Sequence, residues 1–172
     1  MIKKIGKWIG VVVGALLVLV LAGLGVVYAM SSSSLYQTFE VEVEKVDIPE
    51  DQESIEWGKH IVETRGCSDC HGEDYGGSVL MDNAAMGKIA GSNLTSGEGG
   101  IGERYNDQDW VRAIRHGIGP KGEPLIFMPS HEYNILDNED LGAAIAYLKS
   151  VPSVDRQMED PSPGPMARVL YL

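Results

Sequence analysis

The hydrophobic pattern of the chain begins with one uninterrupted run. Trp8 to Met30 are 23 consecutive residues without a charge, and a helix of that length spans the roughly 30 Å hydrocarbon layer of a bilayer. Three lysines precede the run, and every acidic residue follows it. Because cytoplasmic flanks are enriched in Lys and Arg, we expect a cytoplasmic tail at residues 1–7 and a transmembrane helix at residues 8–30. The alternative is a cleaved signal peptide, although its apolar region is typically about 7–15 residues long.

Three later segments carry apolar residues at helical spacing, which predicts amphipathic helices. These helices are predicted at residues 54–65, 106–116 and 137–150. Ser54 and Asp137 are the expected N-caps of the first and third helices, since their side chains can accept from backbone N–H groups. Gly58 and the small residues of the third helix predict that these two helices cross closely.

The remaining segments show no helical period. Residues 31–53 are expected to form an extended stalk, in which residues 39–44 alternate apolar and acidic side chains and are available to lie along a neighbouring subunit. Residues 72–106 hold nine glycines in 35 positions, which predicts a long loop packed against a cofactor. Residues 155–172 are expected to be a proline-rich extended tail. Residues 54–154 remain as the folded domain.

Charge and cysteine content narrow the class of protein. The formal net charge is −11, and all 25 acidic residues follow residue 39. This charge argues against nucleic acid as a partner, because phosphate backbones are bound by clustered Lys and Arg. An acidic surface instead steers basic partners, or keeps the protein soluble. With two cysteines in total, both in one motif, packing and a cofactor must hold the fold.

That motif is Cys67-Ser68-Asp69-Cys70-His71. Two cysteines three residues apart, followed directly by histidine, form the pattern by which c-type haem is attached. Cys67 and Cys70 would form thioethers to the porphyrin, and His71 would ligate the iron. A zinc site would need further ligands at similar spacing, a thioredoxin-like pair would need a preceding strand, and a simple disulfide would leave His71 unexplained.

The second candidate for iron ligation is Met128, which lies between a short apolar run and Pro129. A thioether opposite a histidine is typical of electron-transfer cytochromes. An isolated methionine is otherwise core filler. Four other residues are open candidates for the sixth position of the iron: Met81, Met86, His116 and His131. Arg112 or Arg115, on the second predicted helix, can neutralise a haem propionate or remain solvated.

The span from Ser54 to Val154 resembles a class I c-type cytochrome. The resemblance rests on the haem motif after a first helix, Met128-Pro129, and Ala146-Tyr147-Leu148 in the last helix. Residues 93–95, 110–117 and 127–130 are similar to mono-haem cytochromes and to cytochrome subunits found with bacterial dehydrogenases and respiratory complexes. The resemblance implies an all-α fold, with three main helices and long loops around one covalent haem c, and with His71 and Met128 as axial ligands.

One feature departs from the family. Many class I members have a proline soon after the haem motif, whose carbonyl accepts the proton of the proximal histidine. No proline lies between His71 and Pro120 here. The hydrogen-bond acceptor for the imidazole is therefore unassigned by the sequence.

The expected function is one-electron transfer by a membrane-anchored mono-haem cytochrome c, not an enzyme in itself. Its partners would be the lipid bilayer and redox proteins, as a shuttle or as a fixed subunit of a respiratory or photosynthetic complex, with no nucleic acid and no small-molecule substrate. A single-pass topology places the N-terminus in the cytoplasm and the haem domain on the periplasmic side of the cytoplasmic membrane. The competing function is a haem c enzyme or sensor, such as a peroxidase or gas-binding protein, with a labile sixth ligand.

Overall fold

The computed structural model describes the backbone of residues 2–170. Met1, Tyr171 and Leu172, which belong to the segments expected at residues 1–7 and 155–172, lie outside the described residues. The elements in chain order are α1 (Ile2–Leu35), α2 (Gln52–Thr64), α3 (Cys67–His71), β1 (Ser78–Asn83), β2 (Gly87–Gly91), α4 (Asp107–Val111), a π-helical turn (Arg112–His116), α5 (Ser130–Tyr133), α6 (Asn138–Ser150), β3 (Ser162–Pro163) and α7 (Pro165–Leu170). The fold is thus predominantly helical.

Helix α1 contains the long apolar run. Within the described residues it is the one helix long and apolar enough to cross a membrane, with a mean hydropathy of 2.8 and no part of that window buried. Its last residues behave differently, because Ser31 and Leu35 are 0% and 3% exposed. The C-terminal end of α1 is therefore covered by the rest of the chain.

Helices α2 and α6 form the centre of the domain. The core between them and α4 includes Leu141, Ile145 and Trp110, which are 0%, 0% and 2% exposed. A Cβ atom at Gly58 would lie 1.9 Å from the carbonyl oxygen of Ala143. The two helices therefore cross at a distance that only glycine permits at this position, as the small residues predict.

The helix ends follow local capping chemistry, with one correction. Asp51, not Ser54, caps α2: its carboxylate accepts from the Ser54 backbone N–H at 2.9 Å and from the Ser54 hydroxyl at 2.8 Å. An ionised carboxylate is an acceptor only, so the hydroxyl becomes its donor. Asp137 caps α6 by accepting from the Asp140 N–H at 2.8 Å. At α4, Asn106 and Asp109 form a capping box.

The glycine-rich segment contains structure that the all-α expectation omits. Strands β1 and β2 pair as an antiparallel hairpin, and β3 from the C-terminal segment adds to β2. The C-terminal segment also ends in α7, so it is not extended throughout. The available signal for the hairpin was a pair of short apolar segments, around Val79-Leu80 and Ile89, separated by Asp82-Asn83 and a short turn, but the many glycines obscured it.

Residues 36–51 run without helix or strand along the surface of the domain. Val46 is 7% exposed and belongs to the core, and Val43 packs against it. The Phe39 N–H donates to the Gly122 carbonyl oxygen at 2.8 Å. Val43 of the alternating segment and Val46 after it therefore pack on the core of their own chain.

Candidate haem-binding site

Cys67, Cys70 and His71 lie on α3, the single helical turn that follows α2. Gly66 precedes this turn with a φ of 70°, a left-handed conformation that redirects the chain between the two helices. Residues three apart lie on the same face of a helix, which brings Cys67 and Cys70 together. Both are free thiols and partly buried, and burial raises the pKa of Cys67 to about 11. The protein therefore keeps two protonated thiols beside one imidazole.

The ring of His71 is oriented by a backbone carbonyl. Its Nδ1 lies 2.8 Å from the oxygen of Ser92, directly after β2. A carbonyl only accepts, so Nδ1 carries the proton and Nε2 keeps a free lone pair. Burial lowers the pKa of His71, and the Ser92 carbonyl opposes this more weakly. The neutral imidazole is the form that binds a metal, and Ser92 is the acceptor that the sequence left unassigned.

The β1–β2 hairpin holds α3 in position. The Ser78 hydroxyl donates to the Cys70 carbonyl oxygen at 2.8 Å, and the Gly77 N–H donates to the His71 carbonyl oxygen at 2.7 Å. A Cβ atom at Gly91 would lie 1.9 Å from the Cys70 carbonyl oxygen. Glycine at this position lets β2 approach α3 closely enough for Ser92 to reach the imidazole.

Met128 lies on a loop whose backbone is bonded at both ends. The loop begins where Gly117, with a φ of 66°, ends the π-helical turn and accepts from the Leu125 N–H at 2.7 Å. The Met128 N–H donates to the Leu125 carbonyl oxygen at 3.1 Å, and the Ser130 N–H donates to the Met128 carbonyl oxygen at 2.8 Å. Its side chain is partly buried and packs against the same core cluster as Cys67. The loop is thus fixed, and the ligand role of Met128 stays a prediction.

The other candidates for the sixth position have different surroundings. Met81 is 37% exposed on β1, and the His131 side chain is 79% exposed. His116 Nε2 lies 3.4 Å from a carboxylate oxygen, and Met86 lies in the hairpin turn. Of the three methionines, Met128 is the one that packs against the core cluster.

The two arginines considered for propionates have protein partners. Arg115 pairs with the carboxylate of Glu44 and donates to the Leu136 carbonyl oxygen at 2.7 Å. The hydrogen bond that Arg115 donates to Glu44 is the largest cause that lowers the pKa of Glu44 to about 2. Arg112 forms an ion pair with Asp109 at 2.5 Å. Sequence reasoning missed Glu44, because its partner lies 71 positions away.

The polar atoms of the core fit a haem. The indole Nε1 of Trp110 is buried and has no hydrogen-bond partner among the described residues. An unpaired buried donor costs about 1–3 kcal/mol, so an additional acceptor is expected, and haem propionates are acceptors. In the described part of the chain, no cluster of three or more His, Cys, Asp or Glu side chains is placed to hold a metal ion. The donor set of two thiols, an imidazole and a thioether suits haem c and not zinc.

Comparison with known proteins identifies the class. Residues 55–152 match the family described as Cytochrome c. The chain belongs to this family, and its fold is the cytochrome c fold.

Similar proteins include cytochrome subunits of several dehydrogenases. The gluconate 2-dehydrogenase cytochrome c subunit of Pantoea cypripedii is 30% identical over 100 residues, covering 55% of this chain and 22% of that protein. The fructose dehydrogenase cytochrome subunit of Gluconobacter japonicus is 35% identical over 101 residues, covering 55% and 21%. The cytochrome c subunit of alcohol dehydrogenase (quinone) of Gluconacetobacter polyoxogenes is 30% identical over 117 residues, covering 62% and 25%. The chain thus spans a fifth to a quarter of the length of these relatives.

Proposed function

We propose that the chain is a membrane-anchored electron-transfer subunit that carries one haem c. Cys67 and Cys70 would attach the porphyrin, and His71 and Met128 would ligate its iron. The bound haem supplies one-electron chemistry between ferrous and ferric iron. The single CxxCH motif in the sequence supports one haem per chain.

The observation that carries the proposal is the hydrogen bond from His71 Nδ1 to the Ser92 carbonyl at 2.8 Å. A metal-ligating histidine commonly donates its other ring nitrogen to such an acceptor, which fixes the tautomer and the ring orientation. Here that bond occurs on the same helical turn as both thiols. The Met128 loop would supply the second iron ligand, and the Met128 side chain packs on the core cluster.

The proposed location is the outer face of the cytoplasmic membrane. Residues 8–30 within α1 cross the bilayer, the basic N-terminus stays in the cytoplasm, and the haem domain lies on the periplasmic side. The tether confines the domain near its partners and raises their effective concentration. We infer that these partners are the other subunits of a dehydrogenase complex, because the similar proteins are named as cytochrome subunits of dehydrogenases.

Haem attachment is tested by the alkaline pyridine spectrum of the purified protein, together with the iron content per chain. The expected result is a c-type spectrum with one iron per chain. A spectrum without the c-type signature would overturn the proposal. Cys67→Ala and Cys70→Ala provide the comparison, because each removes one thioether and should shift the spectrum toward that of a haem with a free vinyl group.

Axial ligation is tested by the weak far-red charge-transfer band that methionine–iron ligation gives in the ferric protein. Met128→Ala should abolish this band, because Met128 is the methionine of the described residues that packs against the core cluster. The matched control is Met81→Ala, which changes an exposed methionine on β1 and should leave the band intact. If the band survives Met128→Ala, the ligand assignment is wrong.

Carbon monoxide separates electron transfer from the competing enzyme or sensor function. With both axial positions filled, the reduced protein should bind carbon monoxide slowly at neutral pH, and Met128→Ala should accelerate binding. Rapid binding by the unmodified protein would mean an open sixth position. That result would replace electron transfer with the enzyme or sensor function.

A further inference from the structure

The segment after α6 is bound tightly across the domain. We call residues 152–164 the strap. The Asn93 side-chain nitrogen donates to the carbonyl oxygens of Val154 at 2.7 Å and Arg156 at 3.1 Å. The Val154 N–H donates to the Thr95 hydroxyl oxygen at 2.9 Å. Asn93 and Thr95 are each 1% exposed, so these bonds are shielded from water and hold the strap in one place.

The strap delivers α7 to the C-terminal end of α1. Strand β3 pairs with β2, so the strap follows the hairpin to its turn. There the Gly164 N–H donates to the Met86 carbonyl oxygen at 2.8 Å, and the Met166 N–H donates to the Ala85 carbonyl oxygen at 2.9 Å. The start of α7 is thus fixed by backbone bonds to the hairpin turn.

Helix α7 packs against the last turns of α1. Ala167 and Ser31 are both 0% exposed. The Arg168 guanidinium lies 3.1 Å from the Ser32 hydroxyl oxygen and 3.4 Å from that of Ser31. Its central carbon lies 4.5 Å from the centre of the Tyr28 ring, a cation–π contact. One face of α7 is therefore occupied by α1.

The other face of α7 is apolar and uncovered by the described residues. Met166, Val169 and Leu170 are 57%, 53% and 73% exposed, and their spacing of three and four places them on one side of the helix. On α1, Tyr28 and Met30 are also exposed, at 60% and 54%. Both α7 and the part of α1 that it contacts therefore expose apolar side chains.

The position along α1 at which α7 makes contact indicates what covers the apolar face of α7. The apolar run of α1 ends at Met30 and is followed by four serines, so α7 contacts α1 where an anchor would leave the hydrocarbon layer. Three apolar side chains are too few for a stable protein interface. They are enough for a short helix at a membrane surface.

We propose that α7 lies in the interfacial layer of the bilayer that α1 spans, with Met166, Val169 and Leu170 facing the lipid. This inference rests on the proposed membrane anchor. The domain is then attached to the membrane at two places, through residues 36–51 after α1 and through the strap and α7. Such attachment restricts the tilt of the domain and presents the haem site in one orientation, as a fixed subunit requires.

The test uses the haem-loaded full chain in vesicles of phosphatidylcholine and phosphatidylglycerol. A single cysteine is introduced at Val169→Cys, Ile135→Cys or Leu21→Cys and given a nitroxide label, with the unmodified protein correcting for label at the native cysteines. Collisions of the nitroxide with lipid-soluble oxygen and with a water-soluble nickel complex are then compared. Ile135 is the aqueous control, at 70% exposed on the domain, and Leu21 is the lipid control, at 67% exposed on α1.

The label at Val169 should collide with oxygen several-fold more than the label at Ile135, and less with nickel. Adding Met166→Gln and Leu170→Gln should shift the collision rates of the label at Val169 toward those of the label at Ile135. Values at Val169 equal to those at Ile135 from the start would overturn the proposal. Protection from both reagents would also overturn it, since a protein would then cover α7. An aqueous signal at Leu21 would instead reject the membrane anchor.

Discussion

Gly58→Ala probes the crossing of α2 and α6, on which the position of the haem motif depends. The new Cβ atom would lie 1.9 Å from the Ala143 carbonyl oxygen and 2.4 Å from its carbonyl carbon, although such contacts essentially never fall below 3.0 Å. Both atoms belong to the backbone of α6, so no side-chain rotation relieves the overlap. The helices must therefore separate by about 1 Å within a close-packed core.

Two effects of opposite sign set the change in the free energy of unfolding that Gly58→Ala causes. Alanine favours a helix over glycine by about 0.8–1.0 kcal/mol. Overpacking a core costs about 1–3 kcal/mol, and the upper end applies here because the overlap involves main chain and loosens the contacts of Leu141 and Ile145. The net expectation is a loss of about 2 kcal/mol in the free energy of unfolding.

Guanidinium unfolding of the haem-loaded protein in detergent, followed by haem absorption, measures this loss. The midpoint should fall without a change in slope. Lys59→Ala is the matched control, because Lys59 is an exposed neighbour on the same helix and its removal should change stability by less than about 0.5 kcal/mol. A midpoint for Gly58→Ala at or above that of the unmodified protein would refute the close crossing.

Three further predictions concern bonds that join distant parts of the chain. Glu44→Gln should cost about 1 kcal/mol at neutral pH, a modest value because its side chain is 38% exposed. The pKa of Glu44 is lowered from 4.5 to about 2 in the folded protein, so its contribution to the free energy of unfolding is present above pH 4.5 and lost as the pH falls to 2. The unfolding midpoint of the variant should therefore fall less across that range than the midpoint of the unmodified protein. An identical fall would contradict the ion pair with Arg115. Asn93→Ala should lower the free energy of unfolding by about 3 kcal/mol, because it removes several buried hydrogen bonds, and it should speed proteolysis of the strap. Cleavage at the original rate would show that Asn93 does not hold the strap. Gly91→Ala should displace β2 from Cys70 and weaken the hydrogen bond from the His71 imidazole to Ser92. A weaker bond lowers the basicity of His71 as an iron ligand, so the reduction potential in a redox titration should rise. An unchanged potential would count against the role of Gly91 in placing Ser92.

Local patterns predicted the helices because capping and amphipathic spacing act over a few residues. Asp137 was identified as an N-cap from its place before an apolar stripe, and it accepts from Asp140 as expected. The same reasoning chose Ser54 for α2 and failed, since Asp51 three residues earlier binds both donors of Ser54. The hairpin was not predicted because strand pairing depends on contacts between separate segments, and the many glycines hide the alternating pattern that would indicate two strands.

What the sequence by itself determined was the chemistry carried on one turn of chain. Two thiols and an imidazole within five residues need no tertiary fold to come together, and the long apolar run likewise follows from composition alone. Only the tertiary structure decided which carbonyl orients His71, because Ser92 is 21 positions away. It also decided that Asn93 holds the strap 61 positions on. These pairings depend on how α2, the hairpin and the C-terminal segment pack together, and no local period encodes a contact between residues so far apart.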